Sequence, residues 1–314
     1  MRRFAALLMF VGSLGAQPSE VATLSTPARA TSFVVAKTGR LAGAVCGDEK
    51  LRLWTLPEGR LLRTIDLSGR SIDILVISDD SGRIAAGDHR GGYTVWDTST
   101  GAQQMRVQMP FYPSALAFSP DGKRLAIAPV GEPVQIYDPA SGRKLLELSR
   151  TTGGSTAIVF SRDGARIATA DADTVVRIYD ARNGELLARN ADFLLEPLTA
   201  AFTADGKELL AAGGDKFIAF LNSATGSVSR KSGKAPDPVA YLEISPDGAL
   251  VAAVQIHADN MLMPAPVLLL ETASGRKVGE WLPASLPVGG GWTADGHLMV
   301  ATAADEALHI WRVR

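Results

Sequence analysis

Short apolar runs of four to six residues, broken by Gly-, Asp- and Ser-rich turns, recur along the chain with no sustained helical period. The turns Ser119-Pro120-Asp121-Gly122, Ser161-Arg162-Asp163-Gly164, Thr203-Ala204-Asp205-Gly206, Ser245-Pro246-Asp247-Gly248 and Thr293-Ala294-Asp295-Gly296 share one pattern. Weaker copies end at Gly39 and Gly82, and the glycines are spaced 43, 40, 42, 42, 42 and 48. About 15 to 22 residues after each comes an apolar run ending at Trp54, Trp96, Tyr137, Tyr179, Leu221, Leu270 or Trp311, spaced 42, 41, 42, 42, 49 and 41. Both series lengthen at the sixth unit. Seven units of about 42 residues fill most of the chain, which overrides the two domains its length suggests.

Each unit reads as four short strands. In the fourth unit these are Thr156–Phe160, Ala165–Ala170, Thr174–Tyr179 and Glu185–Arg189, with a tight turn at Ser161–Gly164. The second strands are alanine-rich, as in Ala126/Ala128, Ala168/Ala170, Ala211/Ala212, Ala252/Ala253 and Ala301/Ala303. Small side chains there let neighbouring sheets converge on an axis, as in radial β architectures.

Val95-Trp96-Asp97, Ile136-Tyr137-Asp138 and Ile178-Tyr179-Asp180, each followed by a turn of small and polar residues ending in Gly, resemble the WD-repeat β-propeller family. The resemblance runs from about residue 20 to 314. It implies an all-β, seven-bladed propeller of four-stranded antiparallel blades, closed by pairing N- and C-terminal strands, with Glu20–Ser25 completing the last blade. Family repeats also carry an Asp six residues before the Trp, present as Asp48, Asp173, Asp215 and Asp305. No Gly-His pair precedes a first strand, so the family's hydrogen-bonded tetrad is incomplete and the four aspartates read as structural turn caps. A calcium ion at Asp171/Asp173 would need six to eight oxygens that the local sequence does not supply.

Composition narrows the function. There are 32 Lys+Arg against 33 Asp+Glu, with no basic stripe, which argues against nucleic-acid binding. A single cysteine, Cys46, excludes an internal disulfide framework and reads as a buried, inert thiol. Arg2-Arg3, the apolar stretch Phe4–Leu14 and the small residues Ser13, Gly15 and Ala16 read as a secretory signal over residues 1–17. Residues 18–314 then form one periplasmic or secreted domain, a monomer with no membrane insertion after cleavage.

Neither a Gly-x-Ser-x-Gly elbow nor a phosphate loop occurs, and His297 and His309 are not expected to converge on one ion. Gly275–Trp281 resembles the Trp-ending strand of pyrroloquinoline-quinone propellers but occurs once. No catalytic residue, cofactor or metal is therefore expected. Met261-Leu262-Met263 in the sixth-unit insertion (His257–Pro266), and Phe111-Tyr112 and Phe193-Leu194 in blade connections, are apolar where loops are usually polar. All three segments are expected on the top face of the ring. The leading expectation is a non-catalytic scaffold in the cell envelope that binds a protein or peptide there. The alternative is a lactonase- or quinoprotein-like enzyme or small-ligand binder using the central channel.

Overall fold

The computed structural model describes residues 19–149, 151–257, 263–283, 287–302 and 307–312. The expected signal segment and Asp305 lie outside the described residues. Six blades are each made of four consecutive antiparallel strands. Their inner strands are Ala30–Val35, Ile72–Ile77, Pro113–Phe118, Ser155–Phe160, Pro197–Phe202 and Val239–Ile244, which define blades 1 to 6.

The expectation of a seven-bladed propeller is corrected by this topology: six blades are self-contained four-stranded repeats. The remaining four-stranded sheet is composite, ordered Ser19–Ser25, Ala307–Arg312, Leu298–Thr302, Pro287–Trp292. Its first strand pairs antiparallel with Ala307–Arg312, from Ser19 opposite Arg312 to Ser25 opposite Ala307, with a bulge between Glu20 and Ala22. The inner strands neighbour one another in order from blade 1 to blade 6, then Pro287–Trp292, which returns to blade 1.

Blade 4 shows how sequence sets each element. Its strands are Ser155–Phe160, Arg166–Asp171, Val176–Asp180 and Leu186–Asn190. In the turn after the inner strand, the Ser161 hydroxyl donates to Asp163 (2.5 Å) and accepts the Arg166 amide (3.0 Å). Ser78, Ser119, Thr203 and Ser245 repeat this pattern, with the hydroxyl 2.6–2.7 Å from the carboxylate two residues on. Gly122, Gly164, Gly206 and Gly248 take the left-handed conformation that closes each turn. In blade 2 that conformation belongs to Ser81 (φ 61°) rather than Gly82, which makes the spacings from Gly39 and to Gly122 42 and 41.

The core lies between blades. Second-strand alanines Ala42, Ala44, Ala126, Ala128, Ala168, Ala170, Ala211, Ala212, Ala252 and Ala253 are all fully buried. A Cβ on Gly43 would come 2.8 Å from Ile84 Cδ1 of the next blade, which shows how closely the sheets approach. One cluster joins Val45, Leu51 and Ile65 of blade 1 to Ile72, Leu75 and Trp96 of blade 2. The anchors Trp54, Trp96, Tyr137, Tyr179, Leu221 and Leu270 are all buried, so the repeat positions hold sheet to sheet.

Candidate functional site

In blades 1 to 6, backbone hydrogen bonds fasten the second-to-third-strand turn to the connection that enters the same blade. They include His89 N–H to Ser71 O (2.9 Å), Val130 N–H to Tyr112 O (3.0 Å), Gly214 N–H to Glu196 O (3.1 Å) and Ile256 N–H to Pro238 O (3.0 Å). Connections and these turns therefore share one face of the ring. The blade 2 turn also lies against the connection that leaves its blade, and Gly91 permits this: a Cβ there would lie 2.3 Å from Met109 O and 2.6 Å from Phe111 O.

The apolar residues expected on this face divide. Phe111 and Tyr112 are exposed. Tyr112 stacks on His89 with ring centres 5.6 Å apart, and His89 Nδ1 lies 3.1 Å from Asp73 Oδ2. Leu194 is 87% exposed and Leu195 follows it outward. Phe193 is 4% exposed and stacks on Phe217 in the core, so it cannot offer a contact; in this connection the chain turns Phe193 in and both leucines out. Met263 is exposed, whereas Met261 and Leu262 lie outside the described residues. These residues occupy separate stations: the junction of blades 2 and 3, that of blades 4 and 5, and the second-to-third turn of blade 6.

The turn aspartates differ in their tasks. Asp215 accepts the amides of Leu194 (2.9 Å) and Leu195 (3.0 Å), so it pins the neighbouring connection rather than capping its own turn. Asp48 and Asp173 each grip an arginine four residues on, Arg52 (2.8 and 2.5 Å) and Arg177 (2.9 and 2.7 Å). These guanidiniums hold both carboxyls below the ordinary range. Asp171, fully buried, accepts from Ser155 (2.5 Å), Thr169 (3.0 Å) and Arg177 (2.7 Å), although burial pushes its carboxyl upward. Between Asp171 and Asp173, where calcium was weighed, the cation is thus Arg177. Among the described residues no group of three or more His, Cys, Asp or Glu could hold a metal ion. Cys46 is buried, and burial pushes its thiol up.

The inner strands enclose a channel of about 1140 Å³. The inner strands of blades 3, 4 and 5 are poor in polar groups over Ala115–Phe118, Ala157–Phe160 and Ala200–Phe202, and blade 6 departs from that. Glu243 occupies the position held by Val34, Val76, Ala117, Val159 and Ala201 in the other contiguous blades, and Tyr241 lies two residues before it. Burial pushes the Glu243 carboxyl up to about 7, partly offset by Lys37. Aligning the hydroxyl-turn repeats exposes this misfit, which is the signal that would have found it.

A family model described as "WD domain, G-beta repeat" matches residues 142–180, running from the third-to-fourth-strand turn of blade 3 to the end of the third strand of blade 4. The WD repeat-containing protein SL1-17 of Schistosoma mansoni is 30% identical over 112 residues, 35% of this chain and 37% of that protein. The chain thus matches little more than a third of that relative's length. With the radial four-stranded blades, these two matches support a WD-repeat propeller.

Proposed function

We propose that this chain is a non-catalytic scaffold of the cell envelope that holds a protein or peptide partner on the face bearing the blade connections. The observation that carries the reading is the presentation of Leu194 and Leu195. Two exposed leucines are held outward on backbone that Asp215 fixes through both of their amides. Fixed apolar side chains lose little freedom on contact, so more of the roughly 1.5–3 kcal/mol from burying each one is kept as affinity. Phe111, Tyr112 and Met263 add anchors on the same face. A fold of this kind hosts many functions, so the reading rests on the surface and not on the ring alone.

The test is crosslinked capture from envelope extracts with wild type, Leu194→Asp/Leu195→Asp and Leu61→Asp. Leu61 is an exposed residue on the outer strand of blade 1 and serves as a rim control. A partner held by wild type and the rim control, and lost by the folded double variant, is the expected result. Equal capture by all three rejects this face.

A further inference from the structure

The channel wall is not uniform around the ring. Positions equivalent to Glu243 form a belt of Val34, Val76, Ala117, Val159, Ala201 and Gly291, apolar everywhere except at blade 6. Tyr241 and Glu243 are two apart on one strand and therefore project on the same side. Tyr241 is 49% exposed while the ring surrounds it, and the desolvation of its phenol raises its pKa. It reaches into the channel rather than into a sheet interface. Glu243 is fixed from behind, since its carbonyl accepts the Trp292 indole N–H at 3.1 Å.

The neighbouring wall, on the composite sheet, carries no side chains over Gly289-Gly290-Gly291. Packing accounts for two of these glycines: a Cβ on Gly289 would fall 2.1 Å from Phe33 O, and one on Gly291 2.6 Å from Val35 Cβ. The carboxylate thus stands beside bare backbone in an otherwise apolar belt. Lys37 is near enough to influence Glu243, yet no ion pair joins the two among the described residues, and Lys37 acts on Asp79 as well.

We propose that the channel binds a small organic amine, its ammonium on Glu243 and against the ring of Tyr241, its apolar body along the Val34–Val76–Ala117–Val159–Ala201 belt. A cation complements the one carboxylate in the belt and gains from an aromatic face in a desolvated setting. A channel of about 1140 Å³ is ample for a small ligand. This site is independent of the scaffold face: it lies on the axis and uses none of the connection residues.

The test is calorimetric titration of the whole folded chain with hexylammonium, hexanoate and hexanol at pH 8. Hexylammonium should saturate one site, with hexanoate and hexanol at least tenfold weaker. Glu243→Val, which restores the residue of blades 1, 2 and 4, should weaken hexylammonium at least tenfold while unfolding cooperatively and melting no lower than wild type at that pH. Ala117→Phe, which narrows the belt without touching the carboxylate, should also weaken it. Lys37→Ala should keep or tighten binding, and Leu194→Asp/Leu195→Asp should leave it unchanged. Hexylammonium that fails to saturate, binds folded Glu243→Val as well as wild type, or binds no better than hexanol overturns the proposal.

Discussion

Removing the Asp171 carboxylate should cost more stability than any loop substitution on this protein. The group is fully buried and holds three donors, Ser155 at 2.5 Å, Thr169 at 3.0 Å and Arg177 at 2.7 Å, which tie the first three strands of blade 4 together. Asp171→Ala leaves two hydroxyls without their carboxylate acceptor and Arg177 with one carboxylate instead of two. Breaking a buried ion pair from one side costs about 3–5 kcal/mol. An unfolding entropy of about 2.1 cal/mol/K per residue over roughly 300 residues is about 0.6 kcal/mol/K, so the melting temperature should fall by about 5–8 °C. Asp171→Asn keeps an acceptor oxygen and loses the charge, so about half that drop is expected. Asp171→Leu with Arg177→Leu removes both charges and should cost less than the sum of the single changes. Differential scanning calorimetry at pH 7 measures all of these. An Asp171→Ala protein melting within 1 °C of wild type, or strictly additive single changes, would refute the reasoning.

Other consequences are as direct. Glu243 binds its proton more tightly folded, near about 7, than at its ordinary 4.5. Its contribution to stability is therefore full below about 4.5 and lost as pH rises toward 7, by up to about 3 kcal/mol. Glu243→Gln should match wild type near pH 4.5 and melt higher by a gap that grows to pH 8; a pH-independent gap would count against this. Asp97 is held down to about 2, chiefly by the hydroxyl of Ser99 and the amide and hydroxyl of Thr100. Its stabilisation is present above the ordinary 3.8 and lost as pH falls through 2, so the deficit of Asp97→Ala should shrink in acid melts and not at neutral pH. Gly289→Ala should cost about 1–3 kcal/mol by overpacking against Phe33, seen as a lower urea midpoint; an unchanged midpoint would show that the strands can separate cheaply.

Much of the ring was legible because its repeats state the same physics several times. The hydroxyl–aspartate–glycine turns, the alanine-rich second strands and the buried anchors from Trp54 to Leu270 all recur at one period, and each has a local cause. The site was less legible. Phe193 and Leu194 are adjacent and apolar in a connection without periodicity, and which turns outward follows from contacts distant in sequence, Phe193 on Phe217 and the Leu194 and Leu195 amides on Asp215. The charge on the channel wall is visible only against the aligned blades, where Glu243 replaces valine or alanine. Asp215 itself was placed in the wrong task, because its partners lie about 20 residues upstream and no local rule reaches that far.

The hydroxyl turns leave one residue free, the one between the Ser or Thr and the following residues. At one mouth of the channel this position reads Lys37, Asp79, Pro120, Arg162, Ala204, Pro246 and Ala294 around the ring. Charged groups fall on blades 1, 2 and 4, and the rest of the circle is proline and alanine. A near-symmetric ring would give an incoming molecule no means of telling one rotational setting from another. This one variable letter per repeat breaks that degeneracy, like the key mark on a dial. Outside blade 1, where Ala36 and Thr38 flank Lys37, it can also be rewritten blade by blade without disturbing the hydroxyl and carboxylate that hold the turn, so orientation and stability are free to evolve separately.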